Sequence, residues 1–206
     1  MPKQLADVEG ERLLDRTVCQ LNGRGVYPIV VGYDERLNVE NAGFWTPPRQ
    51  TRWLVETIAL SEEVCDPERT IGLFGDAFFT DDAMDTICQS DGLKFFGRHD
   101  GSVMTGGPAE CFGWAMNYAD HPTFFNAVQA GVRDADEKNA GAHGSPIEPG
   151  AIWQPYRLIA GFDMYDHRVD DWYWETIDDW TDDFDTPERY NIWLDRYSRR
   201  WVQDNG

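Results

Sequence analysis

Three short apolar runs, VYPIVVG at 26–32, TIGLF at 70–74 and LKFFG at 93–97, alternate with stretches in which apolar residues recur every three or four positions. Leu14, Val18 and Leu21 form such a stripe within 10–24, with Gly25 as its stop, and Leu54 and Ile58 continue the pattern over 51–64. DDAMDTICQ at 81–89 follows Thr80, a good N-cap. Strands separated by helices of this length predict βαβ units. The expected fold class is α/β, a three-layer α/β/α sandwich with a mostly parallel central sheet. Residues 38–50 read as loop, and 134–155, rich in Gly, Pro, Asp and Ala, as a mobile flap. YRLIAGF at 156–162 and WYWETI at 172–177 read as strands. A last helix over 187–202 carries Tyr190, Trp193, Tyr197 and Trp201 along one face. No second-domain linker interrupts the chain, so 1–206 is expected to be one domain.

No apolar run is long enough to span a bilayer, and MPKQLADVEGE lacks the pattern of a signal peptide, which predicts a soluble, cytoplasmic protein with no membrane partner. Cys19, Cys65, Cys88 and Cys111 have no C-x-x-C spacing, so they read as reduced, buried thiols rather than zinc ligands. The net charge of −19 arises from 24 Asp and 13 Glu against 15 Arg and 3 Lys. Such a balance resembles halophilic proteins or the viruses of halophilic hosts, because at 1 M salt the Debye length of about 3 Å screens self-repulsion. It also repels a phosphate backbone, so nucleic acid is not an expected partner without a local basic groove.

Ligands of open parallel sheets bind beyond the carboxyl ends of the strands. Asp76 stands at such an end, directly after TIGLFG, and Gly75 permits close backbone approach by a ligand. A hard cation, Mg²⁺ or Mn²⁺, needs few protein oxygens and takes the rest from phosphate and water. IDDWTDDFDTPERY at 177–190 supplies further acids: five aspartates within eight residues repel one another unless a cation sits among them. Asp185 and Asp183 are the candidates to join Asp76 as metal ligands, while Asp178, Asp179 and Asp182 read as solvated surface. The plainer readings are a turn aspartate at 76 and, at 185, an N-cap with Pro187 in the first turn and Glu188 three residues on. No Ser-His-Asp or Cys-His arrangement is present, and His121, His143 and His167 share no ligand spacing.

PKQLADVEGERLLDRTVCQL, the Gly75-Asp76 pair after a buried run, and Asp185 to Glu188 (D-T-P-E) resemble, in order and spacing, the motifs of the nucleotidyltransferase superfamily. The match spans residues 2 to 188. That family has the GT-A-like, Rossmann-like fold shared by molybdenum-cofactor-type nucleotidyltransferases, sugar-nucleotide pyrophosphorylases and many glycosyltransferases. The resemblance implies that Lys3 contacts nucleotide phosphates and that Asp76 and Asp185 hold Mg²⁺. The implied reaction moves a nucleotidyl group from an NTP to a small phosphorylated acceptor. In the family a first strand and a Gly-rich loop, roughly L-A-A-G-x-G-x-R, precede P-K-x-L; a domain opening at MPKQL is expected to lack both. LKFFGRHDGSVMTGGPAECFGWAMNY at 93–118 is similar to sugar-transferase-like proteins of tailed viruses, which implies that Arg98 and Glu110 line an acceptor side, Glu110 as base or hydroxyl anchor. Arg98 and His99 also read as a surface loop after a strand. Two further functions stay open: a GT-A glycosyltransferase using a nucleotide-sugar on a glycan or modified DNA base, and a truncated, non-catalytic binding module.

Overall fold

The computed structural model describes residues 2–102, 109–138, 149–166, 168–169, 172–183 and 185–205, with side chains to residue 199. A β-hairpin, β1 (Asp7–Val8) and β2 (Glu11–Arg12), leads into α1 (Leu13–Gly23). Next come β3 (Ile29–Val31), β4 (Gly43–Trp45), α2 (Leu54–Leu60) with a 3₁₀ turn at Ser61–Val64, β5 (Arg69–Leu73), β6 (Ala77–Phe78) and α3 (Asp81–Gln89). The remainder comprises β7 (Lys94–Arg98), β8 (Glu110–Asn117), α4 (His121–Glu137), α5 (Trp153–Ile159), β9 (Trp174–Thr176), β10 (Asp182–Asp183) and α6 (Pro187–Asn205).

The main sheet has the order β5-β8-β7-β9 and is mixed, not mostly parallel. β8 runs antiparallel to both β5 and β7, and only β9 joins β7 in parallel. The cause is the length of the link from β7, which ends at Arg98, to β8, which starts at Glu110: it is shorter than the dozen or more residues that a parallel crossover needs, so the chain returns antiparallel. β3 and β4 form a separate two-stranded parallel sheet, placing a strand inside the expected 38–50 loop. Helices cover both faces of the main sheet. α2, α4 and α5 bury Val55, Phe124, Val128 and Tyr156 against Phe95 and Trp114, while α1 and α3 bury Leu21, Met84 and Ile87 against Phe96 and Phe112.

The helix ends follow local chemistry. α1 stops because Gly25 takes φ +76° while its N–H donates to Asn22 O and that of Val26 to Leu21 O, the Schellman pair. The same device, Gly161 at φ +78° with Phe162 N–H on Arg157 O, closes α5. Residues 156–159 are thus helical, not a strand: an apolar run this short carries no period that separates the two. Of the expected flap, residues 139–148 lie outside the described residues, while 134–137 belong to α4 and 153–155 to α5. Of the four thiols, Cys111 is buried, Cys65 and Cys88 are half-buried and Cys19 is exposed, which corrects the expectation that all four are buried.

Candidate functional site

The two distant acidic stretches meet through β6 and β10. These strands pair antiparallel, Ala77 opposite Asp183 and Phe78 opposite Asp182, so Asp76 and Asp185 leave the same end of one ribbon. α6 fastens the ribbon. Trp193, fully buried, packs on Phe78 at 4.5 Å between ring centroids, stacks on Tyr197 at 4.6 Å and donates Nε1–H to Trp180 O at 3.1 Å. Burying an indole and two further rings in one cluster contributes several kcal/mol, on the order of 3–5 for the tryptophan alone. The N-terminal hairpin is tied to the same helix by the Tyr190 hydroxyl, which donates to Asp7 O. Lys3, in a 3₁₀ turn just before that hairpin, is carried to the site by this contact.

Lys3 Nζ lies 3.4 Å from Asp76 Oδ2 and 3.1 Å from Asp185 Oδ1, while Arg189 Nη1 lies 2.6 Å from the other Asp185 oxygen. Burial opposes the charge on Lys3, but Asp183, Asp76 and Asp185 outweigh it and raise its pKa. One carboxylate oxygen each from Glu110, Asp183 and Asp185 falls within 4.8 Å of the others. Asp183 Oδ1 is buried with no hydrogen-bond partner. An orphaned buried carboxylate oxygen is costly unless something positive reaches it. Burial, then the charges of Asp76 and Asp185, push Asp183 up to about 7. Burial, then Asp183 and Asp185, push Glu110 up to about 8, with Arg189 opposing. Hard carboxylate oxygens converging on a partly open rim, one of them unpartnered, suit Mg²⁺ or Mn²⁺.

Glu110 reaches this group because of a β-bulge. The β7–β8 register slips between Phe96 and Gly97, so β8 carries one extra residue there. Cys111 and Trp114, three apart, consequently face the same α2/α4/α5 side, and Glu110 turns to the opposite face with Phe112. Without the bulge Glu110 points away from Asp183.

Several residues differ in placement from their sequence readings. Arg98 ends β7 and is 3% exposed, so it is no surface loop. Its Nη2 donates to Thr181 O and Asp179 O, and Nη1 lies 3.7 Å from Asp182 Oδ1, which pins the acidic segment to the sheet. Asp182 is buried, not solvated: it accepts from Ser102 Oγ at 2.5 Å and from the Asp183 N–H at 3.0 Å. Asp179 accepts from the Thr80 hydroxyl and, at 2.7 Å, from Thr181 N–H; Asp178 is exposed. Thr186, not Asp185, caps α6, accepting from Arg189 N–H at 3.2 Å, which leaves the Asp185 carboxylate to the cations. Gly75 faces the protein, where an added Cβ meets Gln4 Cγ at 3.3 Å and Leu14 at 3.6 Å. Arg189 was missed by the sequence reading; its signal is the i,i+4 spacing from Asp185.

No protein-family model and no curated protein matches this sequence. Solved structures do resemble it. A protein of Bacillus anthracis described as a glucose-1-phosphate thymidylyltransferase, in complex with sucrose, superposes with TM-score 0.58 at 11% identity, covering 94% of this chain and 85% of that one. The CTP:phosphocholine cytidylyltransferase LicC of Streptococcus pneumoniae gives 0.56 at 11% identity, covering 96% and 90%. HddC of Yersinia pseudotuberculosis gives 0.52 at 11% identity over the same shares. Among the described residues no helix is long and apolar enough to cross a membrane. At this identity the likeness is one of architecture, and it establishes a nucleotidyltransferase-like fold.

Proposed function

We propose that the protein is a Mg²⁺-dependent transferase that moves a nucleotidyl group from a nucleoside triphosphate to a small phosphorylated acceptor. The observation that carries this reading is the convergence of Glu110, Asp183 and Asp185, with one Asp183 oxygen unpartnered and Lys3 bridging Asp185 to Asp76. Asp185, Asp183 and Glu110 hold the cation, and Asp76 stands across Lys3 from them. When bound, the ion supplies Lewis-acid neutralisation of charge on the departing pyrophosphate. Lys3 binds the triphosphate. A phosphate acceptor is already ionised at neutral pH and attacks without a general base. Glu110 is therefore free to serve as a ligand of the cation, and catalysis is positioning and electrostatics. The acidic surface fits a high-salt habitat, with protein solubility maintained by net charge.

Thermal shift with Mg²⁺ and a panel of NTPs, set against UDP-sugars, tests the reading. Stabilisation by NTPs supports it; stabilisation by nucleotide-sugars alone replaces it with glycosyl transfer, and no response to either leaves a non-catalytic module. Asp183→Asn is expected to abolish metal-dependent nucleotide binding with an unchanged circular dichroism spectrum, and unaltered affinity in that variant contradicts the role of Asp183.

A further inference from the structure

Asp185 is held by two cations at once, Lys3 on Oδ1 and Arg189 on Oδ2, so each of its oxygens is engaged. A divalent ion bound to Asp185 must displace or repel at least one of them. The charges around the site show which cations are exchangeable. Arg98 is buried and committed to Asp182 and two backbone carbonyls, so it stays. Lys3 and Arg189 sit at the rim, their side chains 40% and 29% exposed. The Arg189 stem rises from the first turn of α6, which Thr186 caps, and its guanidinium pairs with Asp185 alone among the described residues. Five carboxylates, Asp76, Glu110, Asp182, Asp183 and Asp185, otherwise make this corner hostile to a triphosphate.

We propose that Arg189 is a phosphate-binding residue, held on Asp185 until a divalent cation takes that carboxylate and then released, with Lys3, to the triphosphate. The inference rests on the metal-dependent reading above. The ion weakens both monovalent pairs by like-charge repulsion, and the triphosphate offers them new oxygens, to which a guanidinium can bind through two parallel N–H donors. Metal and triphosphate thus favour each other's binding, and by linkage the coupling is equal in both directions.

The test measures Mn²⁺ binding by electron paramagnetic resonance, alone and with inorganic triphosphate, in the wild type, Arg189→Gln and Arg189→Lys. Arg189→Gln is expected to bind Mn²⁺ alone at least as tightly as wild type and to bind the Mn²⁺–triphosphate complex about tenfold more weakly, within the usual range of coupling. Arg189→Lys is expected to recover part of that loss, since it keeps the charge and loses the fork. Unchanged affinity for the complex in Arg189→Gln overturns the inference. So does weakened binding of Mn²⁺ alone, which marks Arg189 as a support for Asp185. A wild type that binds no Mn²⁺ instead contradicts the metal-dependent reading itself.

Discussion

Titrating Mg²⁺ or Mn²⁺ into the protein between pH 6 and 8 should release protons, in an amount set by the two perturbed acids. Glu110 is pushed up to about 8 and Asp183 to about 7. At pH 7, about nine-tenths of Glu110 and half of Asp183 are therefore protonated, and a cation that coordinates both displaces about 1.4 protons. The apparent association constant then rises about 25-fold per pH unit around neutrality and flattens near pH 8, where about 0.6 protons remain to be displaced. Because these acids share one site, the two steps belong to the pair. The same shifts fix the sign of the stability effect. Both pKa values lie above the ordinary carboxylate range, so the folded protein binds more protons than the unfolded chain between that range and about pH 8. Metal-free stability accordingly falls as pH rises through this window, by up to about 1.4 kcal/mol per unit per group, and bound metal offsets the fall. Isothermal titration calorimetry in two buffers of different ionisation enthalpy counts the protons. Binding with no proton release and a pH-independent affinity refutes the assignment of Glu110 and Asp183 as ligands.

Trp193→Ala removes a fully buried ring from the Phe78–Tyr197 cluster; urea unfolding is expected to show a loss of about 3–5 kcal/mol, with weakened metal binding because α6 no longer fixes Asp185. Gly25→Ala meets no neighbouring atom within 4 Å yet forces a side chain on to φ +76°, so it should cost about 1 kcal/mol or more and leave metal affinity unchanged. Arg98→Met leaves the buried Asp182 carboxylate without its cation and should destabilise by about 3–5 kcal/mol, read as a lowered melting temperature.

The parts of the fold that local rules govern were legible in the sequence: the Thr80 cap, the Gly25 stop, and the runs that became β3, β5, β7 and β9. The directions of the strands were not, because a run such as LKFFG looks the same whichever way its neighbour points. The central strand β8 lay in the 93–118 stretch read for its chemistry, and helix α4 in residues given no element, its end falling inside the expected flap. At the site, Asp76, Asp185 and Lys3 were named from sequence order, and the register of β6 against β10 is what joins them. Glu110 depends on a one-residue bulge that no periodicity announces. Asp182 and Arg98 were read as exposed because charged residues usually are; their burial as a pair arises from tertiary packing alone.

Anomalous diffraction from a crystal soaked in Mn²⁺ tests the central claim most directly. The account predicts one strong peak among the carboxylates of Asp185, Asp183 and Glu110, on the side that Asp76 and Lys3 face. A fully occupied ion elsewhere, or none at this rim in a crystal grown near pH 8, contradicts it.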